Sequence, residues 1–90
     1  MTLGVLLLAI LAQDTAFARA ESLLAGHKLP AARRAAERLV AAHPQDSRAH
    51  LLLGRIWYTW PVTGRYSARA EFRTAAGLAP RDPEIGRAHV

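Results

Sequence analysis

The sequence predicts an all-α fold in which two antiparallel helix–turn–helix hairpins stack side by side behind an apolar N-terminal helix. The first observation is a spaced set of small and aromatic residues between Leu53 and Pro80, typical of two helices that approach closely. The second is a weaker copy of this set upstream, and the third is an apolar run near the N-terminus. The 90 residues suffice for at most one small domain.

The apolar run covers residues 3–12. A run of this length is too short to span a bilayer as a helix, which takes about 20 residues, but it fits the core of a secretory signal. Small residues suited to cleavage follow at Ala12 and Ala18, and we prefer Ala12 because cleavage there leaves the next helix whole. We therefore expect residues 1–12 to direct export or to contact a membrane. The expected location of the protein is a compartment such as the bacterial periplasm. No Lys or Arg precedes the run, so the alternative is a cytoplasmic chain whose residues 2–12 form a helical cap.

The second hairpin, residues 47–82, carries the clearest pattern, with helices predicted near 47–59 and 66–78. A glycine at Gly54 lets the helices approach closely, while Trp57 and Phe72 fill the space between them. Ser47, next to Asp46, is expected to cap the first of these helices. The predicted packing residues of the hairpin are Leu53, Gly54, Trp57, Ala68, Phe72, Ala75 and Pro80.

The first hairpin, residues 13–46, repeats this pattern with helices predicted near 14–25 and 30–42. Its second helix precedes its counterpart by 36 residues, and its first helix by 34. Two residues added to the turn at 60–64 explain the difference, because insertions in a turn leave the packed faces untouched. The packing residues predicted here are Ala20, Leu23, Ala32, Leu39 and Pro44.

The order Leu-Gly, Trp, then Ala, Phe, Ala and Pro at steps of four, three and five resembles the tetratricopeptide repeat (TPR), a unit of roughly 34 residues. The resemblance covers residues 13–82 and is specific in the second hairpin but only moderate in the first, where Arg19 replaces a leucine. It implies an α-solenoid fragment of two TPR-like repeats that serves as a non-catalytic protein–protein interaction scaffold. The alternative is a generic alanine-rich helical bundle.

Residues 83–90 follow the second hairpin. Pro83 and Glu84 suit the opening of a third repeat, and we expect the chain to be an N-terminal piece of a longer array. Residues 85–90 depart from the pattern and resemble the translation of a sequencing adapter, so we expect them to be non-native. The alternative is a genuine, poorly patterned C-terminus.

The resemblance also indicates where a partner binds, because first helices line the concave surface of such repeats. On the helix predicted near 47–59, four side chains recur at steps of three, four and three and share one face: Arg48, Leu51, Arg55 and Tyr58. Two arginines among them can each grip a carboxylate of a peptide or partner helix. Phe17 and Glu21 lie on the matching face of the helix predicted near 14–25. The predicted partner-binding residues are therefore Arg48, Leu51, Arg55, Tyr58, Phe17 and Glu21.

The charge balance leaves a second function open. Twelve Lys and Arg face seven Asp and Glu, and arginines recur every four residues at Arg65, Arg69 and Arg73 and again at Arg34 and Arg38. A basic helical nucleic-acid-binding module would use such stripes. We favour a solvated outer face instead, because no aromatic platform for bases lies between the arginines.

No pattern in the sequence indicates catalysis. The chain has no cysteine, its four histidines match no metal-ligand spacing, and its carboxylates are scattered singly. We expect no enzyme activity, metal or cofactor; the alternative is an accessory domain of a larger enzyme. Partner identity and oligomeric state stay open.

Overall fold

A computed structural model describes residues 2–84 of the chain, with side chains from Asp14 onward. Residues 85–90, predicted to be non-native, lie outside the described residues. The side chains of the apolar run lie outside them too, so the run's predicted contact with a membrane or with the first hairpin is not described.

The described residues form four helices and no strand, which confirms the all-α prediction. The helices pack mainly in chain order, the first against the second, the second against the third and the third against the fourth. The bounds of the helices are α1 Thr2–Ala25, α2 Leu29–Ala42, α3 Ser47–Thr59 and α4 Gly64–Leu78. The three hairpin helices α2, α3 and α4 thus lie within two residues of their predicted positions.

Helix α1 differs from the prediction of separate helices at 2–12 and 14–25, because one uninterrupted helix of 24 residues covers both. The change at Gln13 from apolar to polar composition suggested a boundary. A change of polarity alone does not end a helix, however, and this junction contains neither proline nor glycine. Alanine and glutamine, both good helix formers, carry the helix across it.

The start of α3 corrects a second prediction. Asp46, not Ser47, is the N-cap residue, since its carboxylate accepts a hydrogen bond of 2.9 Å from the backbone N–H of Arg48. Ser47 is already the first helical residue. A carboxylate at this position satisfies a free N–H and also interacts favourably with the positive end of the helix dipole.

The loops after α2 and α4 have the same backbone geometry, 36 residues apart. The N–H of His43 donates to Leu39 and that of Ala79 donates to Ala75, at 2.8 and 2.9 Å. The N–H groups of Asp46 and Asp82 then donate to the carbonyls of His43 and Ala79, at 3.0 and 3.1 Å. The Asp82 carboxylate accepts from the N–H of Glu84, as Asp46 does from Arg48. The offset seen in the sequence therefore recurs in the hydrogen bonds.

The core contains two groups of buried side chains. One joins α1, α2 and α3 and consists of Phe17, Ala20, Ala32, Ala36, Leu39, Ala49, Leu52, Leu53 and Ile56. The other joins α3 and α4 and consists of Leu51, Ala68, Phe72 and Ala75. Trp57 is half-buried and contacts both groups. It therefore links the two hairpins within one core.

Close approach of α3 and α4 depends on two glycines. A Cβ atom at Gly54 would stand 2.5 Å from two carbons of the Phe72 ring, so this ring lies directly on the helix backbone. A Cβ atom at Gly64 would collide with the backbone carbonyl of Trp57. Only glycine permits these distances.

The predicted packing residues are mostly buried. Leu23 and Trp57 are half-buried, whereas Pro44 and Pro80 are exposed and act as helix-ending residues rather than as core. The buried members are Ala20, Ala32, Leu39, Leu53, Gly54, Ala68, Phe72 and Ala75.

Two turn residues have backbone angles in the left-handed region. His27 has φ 57° and Val62 has φ 66°. Gly26, the glycine in the first turn, precedes this position and so does not relieve the strain. Val62 is β-branched, and such residues rarely adopt this conformation.

Candidate functional site

A cleft of about 210 Å³ opens between α1, α3 and the end of the described chain. Side chains of α1 and α3 form most of its walls, and one residue beyond α4 completes them. The residues that line the cleft are Phe17, Glu21, Arg48, Leu51, Leu52, Arg55 and Glu84.

Five of the six predicted partner-binding residues line this cleft, and Tyr58 is the exception. The Tyr58 side chain is 63% exposed and lies outside the lining. Leu52 and Glu84 line the cleft without having been predicted as contact residues. Glu84 could have been found, because it stands 36 residues after Arg48 and so occupies the equivalent position after the next loop.

The apolar lining residues form the floor of the cleft rather than free contact points. Phe17 and Leu51 are each only 6% exposed, and Leu52 is 3% exposed. Phe17 and Leu52 belong to the core group of α1, α2 and α3, whereas Leu51 packs with Phe72. A ligand would touch the outer edges of these side chains and would find the floor already rigid.

The two arginines of the cleft differ in availability. The Arg48 guanidinium lies 4.6 Å from the centre of the Phe17 ring, a cation–π contact, and 3.3 Å from the Asp46 carboxylate. Arg55 is exposed and forms no ion pair with any described residue. Arg55 is therefore the cation that an incoming carboxylate can engage without breaking an existing contact.

The rim of the cleft carries charged side chains of both signs. Glu21 and Glu84 are exposed and, within residues 14–84, neither is in an ion pair. Together with Arg55 they surround an apolar floor with acidic and basic groups. Such a site suits a ligand that presents apolar side chains and charges of both signs.

A contact between α2 and α3 was missed by the sequence analysis. The Arg33 guanidinium lies 5.6 Å from the centre of the Trp57 ring and 5.0 Å from that of Trp60. The two indoles meet edge to face, with centres 5.3 Å apart. Trp60 is thus folded back against Trp57 and Arg33 rather than projecting freely from the turn. Arg33 Nε also lies 3.1 Å from the Glu37 carboxylate, without hydrogen-bond geometry.

His50 forms a second unpredicted contact, between the loop after α2 and helix α4. It is 8% exposed, and its ring nitrogens lie 2.8 Å from the Glu71 carboxylate and 2.8 Å from the Pro44 carbonyl. Both neighbouring groups present oxygen atoms to the ring, and the tautomer of His50 decides which ring nitrogen donates. No short sequence motif links residues 50 and 71. The pairing arises only when α3 and α4 pack together.

No group of three or more His, Asp or Glu within the described part of the chain is placed to hold a metal ion. A membrane crossing would require a long, strongly apolar helix, and none is found among the described residues.

Comparison with protein-family models, with curated proteins and with solved structures finds no match to this chain.

Proposed function

We propose that the chain is a non-catalytic protein-interaction scaffold, built from two TPR-like hairpins, that binds a peptide or a partner helix in the cleft between α1 and α3. An extended peptide with apolar side chains, an acidic residue and a basic residue matches the lining best, since Glu21 and Glu84 line the cleft beside the arginines. Its carboxylate would pair with Arg55, and its apolar side chains would cover the edges of Phe17 and Leu51.

The repeat interpretation is supported by the correspondence of the two halves. Ala32 and Ala68 are both fully packed, with 0% and 1% exposure, and the loops after α2 and α4 share hydrogen bonds at the same offset. The seating of Phe72 on Gly54 agrees with the roles that the resemblance implies for these two positions. These observations favour two related hairpins over an unrelated helical bundle.

The cleft itself is the observation on which the binding proposal depends. Residues predicted as contacts from helical periodicity come from two different helices, yet five of them surround one concave space. Core packing already accounts for the burial of Phe17 and Leu51, so the support for binding comes from the exposed Arg55 beside them, which has no ion-pair partner among residues 14–84. Four of the seven lining residues are charged, so the cleft suits a peptide with charged side chains rather than a small apolar ligand.

The test is a peptide-display selection against the immobilised full chain, followed by affinity measurement on the selected peptide. We expect Arg55→Glu to weaken binding by about tenfold to a hundredfold, the value of one charge-assisted hydrogen bond. Arg69→Glu is the matched control, because it makes the same charge change at an exposed position of α4 outside the cleft. Equal loss of affinity in both variants would refute the cleft as the binding site.

A further inference from the structure

A second surface, on α4 and the turn before it, shares no residue with the cleft. We refer to Val62, Arg65, Tyr66, Arg69 and Arg73 as the α4 basic face. Val62 is 94% exposed and Tyr66 is 83% exposed, and the three arginines are exposed as well. Tyr66, Arg69 and Arg73 are spaced three and four residues apart, so they lie on one side of the helix. This side is opposite the buried residues Ala68, Phe72 and Ala75.

The positive charge of this face is not neutralised within the described chain. Glu71, the acidic residue of α4, is paired with His50 on the inner side of the helix. Arg65, Arg69 and Arg73 take part in no ion pair among residues 14–84. Three neighbouring guanidiniums without a counter-charge attract an anionic partner.

The turn adds an apolar tip to the charged face. Val62 lies in the left-handed region of backbone angles, where a β-branched residue is strained. Backbone strain of this kind clusters at functional sites. Val62 and Tyr66 are thus exposed within three residues of Arg65 along the chain, at the start of the row of arginines.

We propose that the α4 basic face docks on an anionic lipid bilayer, with Val62 and Tyr66 in the interfacial layer and the arginines against lipid phosphates. Charge complementarity supports this occupant, because the surface of an anionic leaflet is negative. The exposed Tyr66 corrects the expectation that no aromatic lies among these arginines, and it suits a base or a bilayer equally. The aliphatic Val62 favours the bilayer, because an aliphatic side chain enters the headgroup boundary and offers no stacking surface to a base. This proposal does not depend on the peptide-binding proposal, because the cleft residues belong to other elements.

The test is flotation of the full chain with phosphatidylcholine vesicles, with and without phosphatidylglycerol, at low ionic strength. The measured quantity is the ratio of binding to anionic and neutral vesicles, which separates this face from any apolar binding by the N-terminal segment. Replacing Arg69 and Arg73 together by glutamine is expected to lower that ratio about twenty-five-fold, at about fivefold per arginine. The matched control replaces Arg34 and Arg38 of α2, two exposed arginines with the same spacing, and is expected to change the ratio less than about twofold.

Three results would overturn the proposal. They are the absence of any preference for anionic vesicles, an equal loss in the two arginine pairs, and displacement of vesicles by single-stranded RNA that binds more tightly through the same arginines.

A second variant tests the apolar tip at Val62. Val62→Gly relieves the backbone strain, so it should fold at least as well as wild type, yet we expect it to bind anionic vesicles about tenfold less tightly. Unchanged binding by this variant would remove the turn from the docking surface.

Discussion

The contact between Gly54 and Phe72 predicts that Gly54→Ala destabilises the fold. A glycine-to-alanine change inside a helix ordinarily stabilises it by about 0.5–1 kcal/mol. Here the added methyl group would lie 2.5 Å from the Cδ1 and Cε1 atoms of a ring that is only 5% exposed. The ring cannot move into solvent, so α3 and α4 must separate slightly, and overpacking of this kind costs about 1–3 kcal/mol. The net loss is expected to be about 1–2 kcal/mol.

Gly77→Ala is the matched control, since Gly77 lies in α4 and nothing stands within 4 Å of its added Cβ. It should stabilise the protein by about 0.5–1 kcal/mol. Thermal unfolding followed by circular dichroism measures both variants, and about 1 kcal/mol corresponds to a shift of about 4–8 °C for a domain of this size. The two substitutions should therefore move the melting temperature in opposite directions. If Gly54→Ala raised it as Gly77→Ala does, Phe72 would not lie on the α3 backbone.

Three further predictions concern stability measured by denaturant unfolding. Asp46→Ala should lower stability by about 1 kcal/mol through loss of the helix cap, whereas Ser47→Ala should change it by less than about 0.5 kcal/mol. A larger loss in Ser47→Ala than in Asp46→Ala would show that Ser47 is the cap. His50→Ala should lower the free energy of unfolding by about 2–3 kcal/mol. A double-mutant cycle with Glu71→Ala should give a coupling energy of at least about 0.5 kcal/mol. Strict additivity of the two substitutions would mean that the two side chains do not interact. Val62→Gly should stabilise the fold by about 0.5–1 kcal/mol, and a loss would show that the turn is unstrained.

The helical fold could be predicted because its determinants are local. Periodic apolar residues, a small residue opposite an aromatic one, and prolines after the helices are all readable along the chain. The offset of 36 residues between Leu39 and Ala75 also predicted equivalent helix ends, and the hydrogen bonds of those ends match. The same offset of 36 residues also relates Asp46 to Asp82. This repeated aspartate indicates a capping role more strongly than Ser47 alone does.

The candidate site was only partly predictable, because periodicity gives the side of a helix but not what covers it. Phe17 and Leu51 were expected to meet a partner, yet both are packed by neighbouring helices and supply a floor. Arg48 and Arg55 look alike in sequence, but only Arg48 has a neighbouring aromatic ring and a carboxylate. Contacts such as that of His50 with Glu71 join residues distant in sequence, so they depend on the tertiary arrangement of the helices.

The most direct test of the scaffold proposal is a titration of the full chain with the selected peptide, followed by nitrogen–proton correlation NMR. We predict saturable shifts concentrated on the cleft, at Phe17, Glu21, Leu52 and Arg55, with little change along α4. Shifts concentrated on Arg65, Arg69 and Arg73, or spread evenly without saturation, would contradict binding in the cleft between α1 and α3.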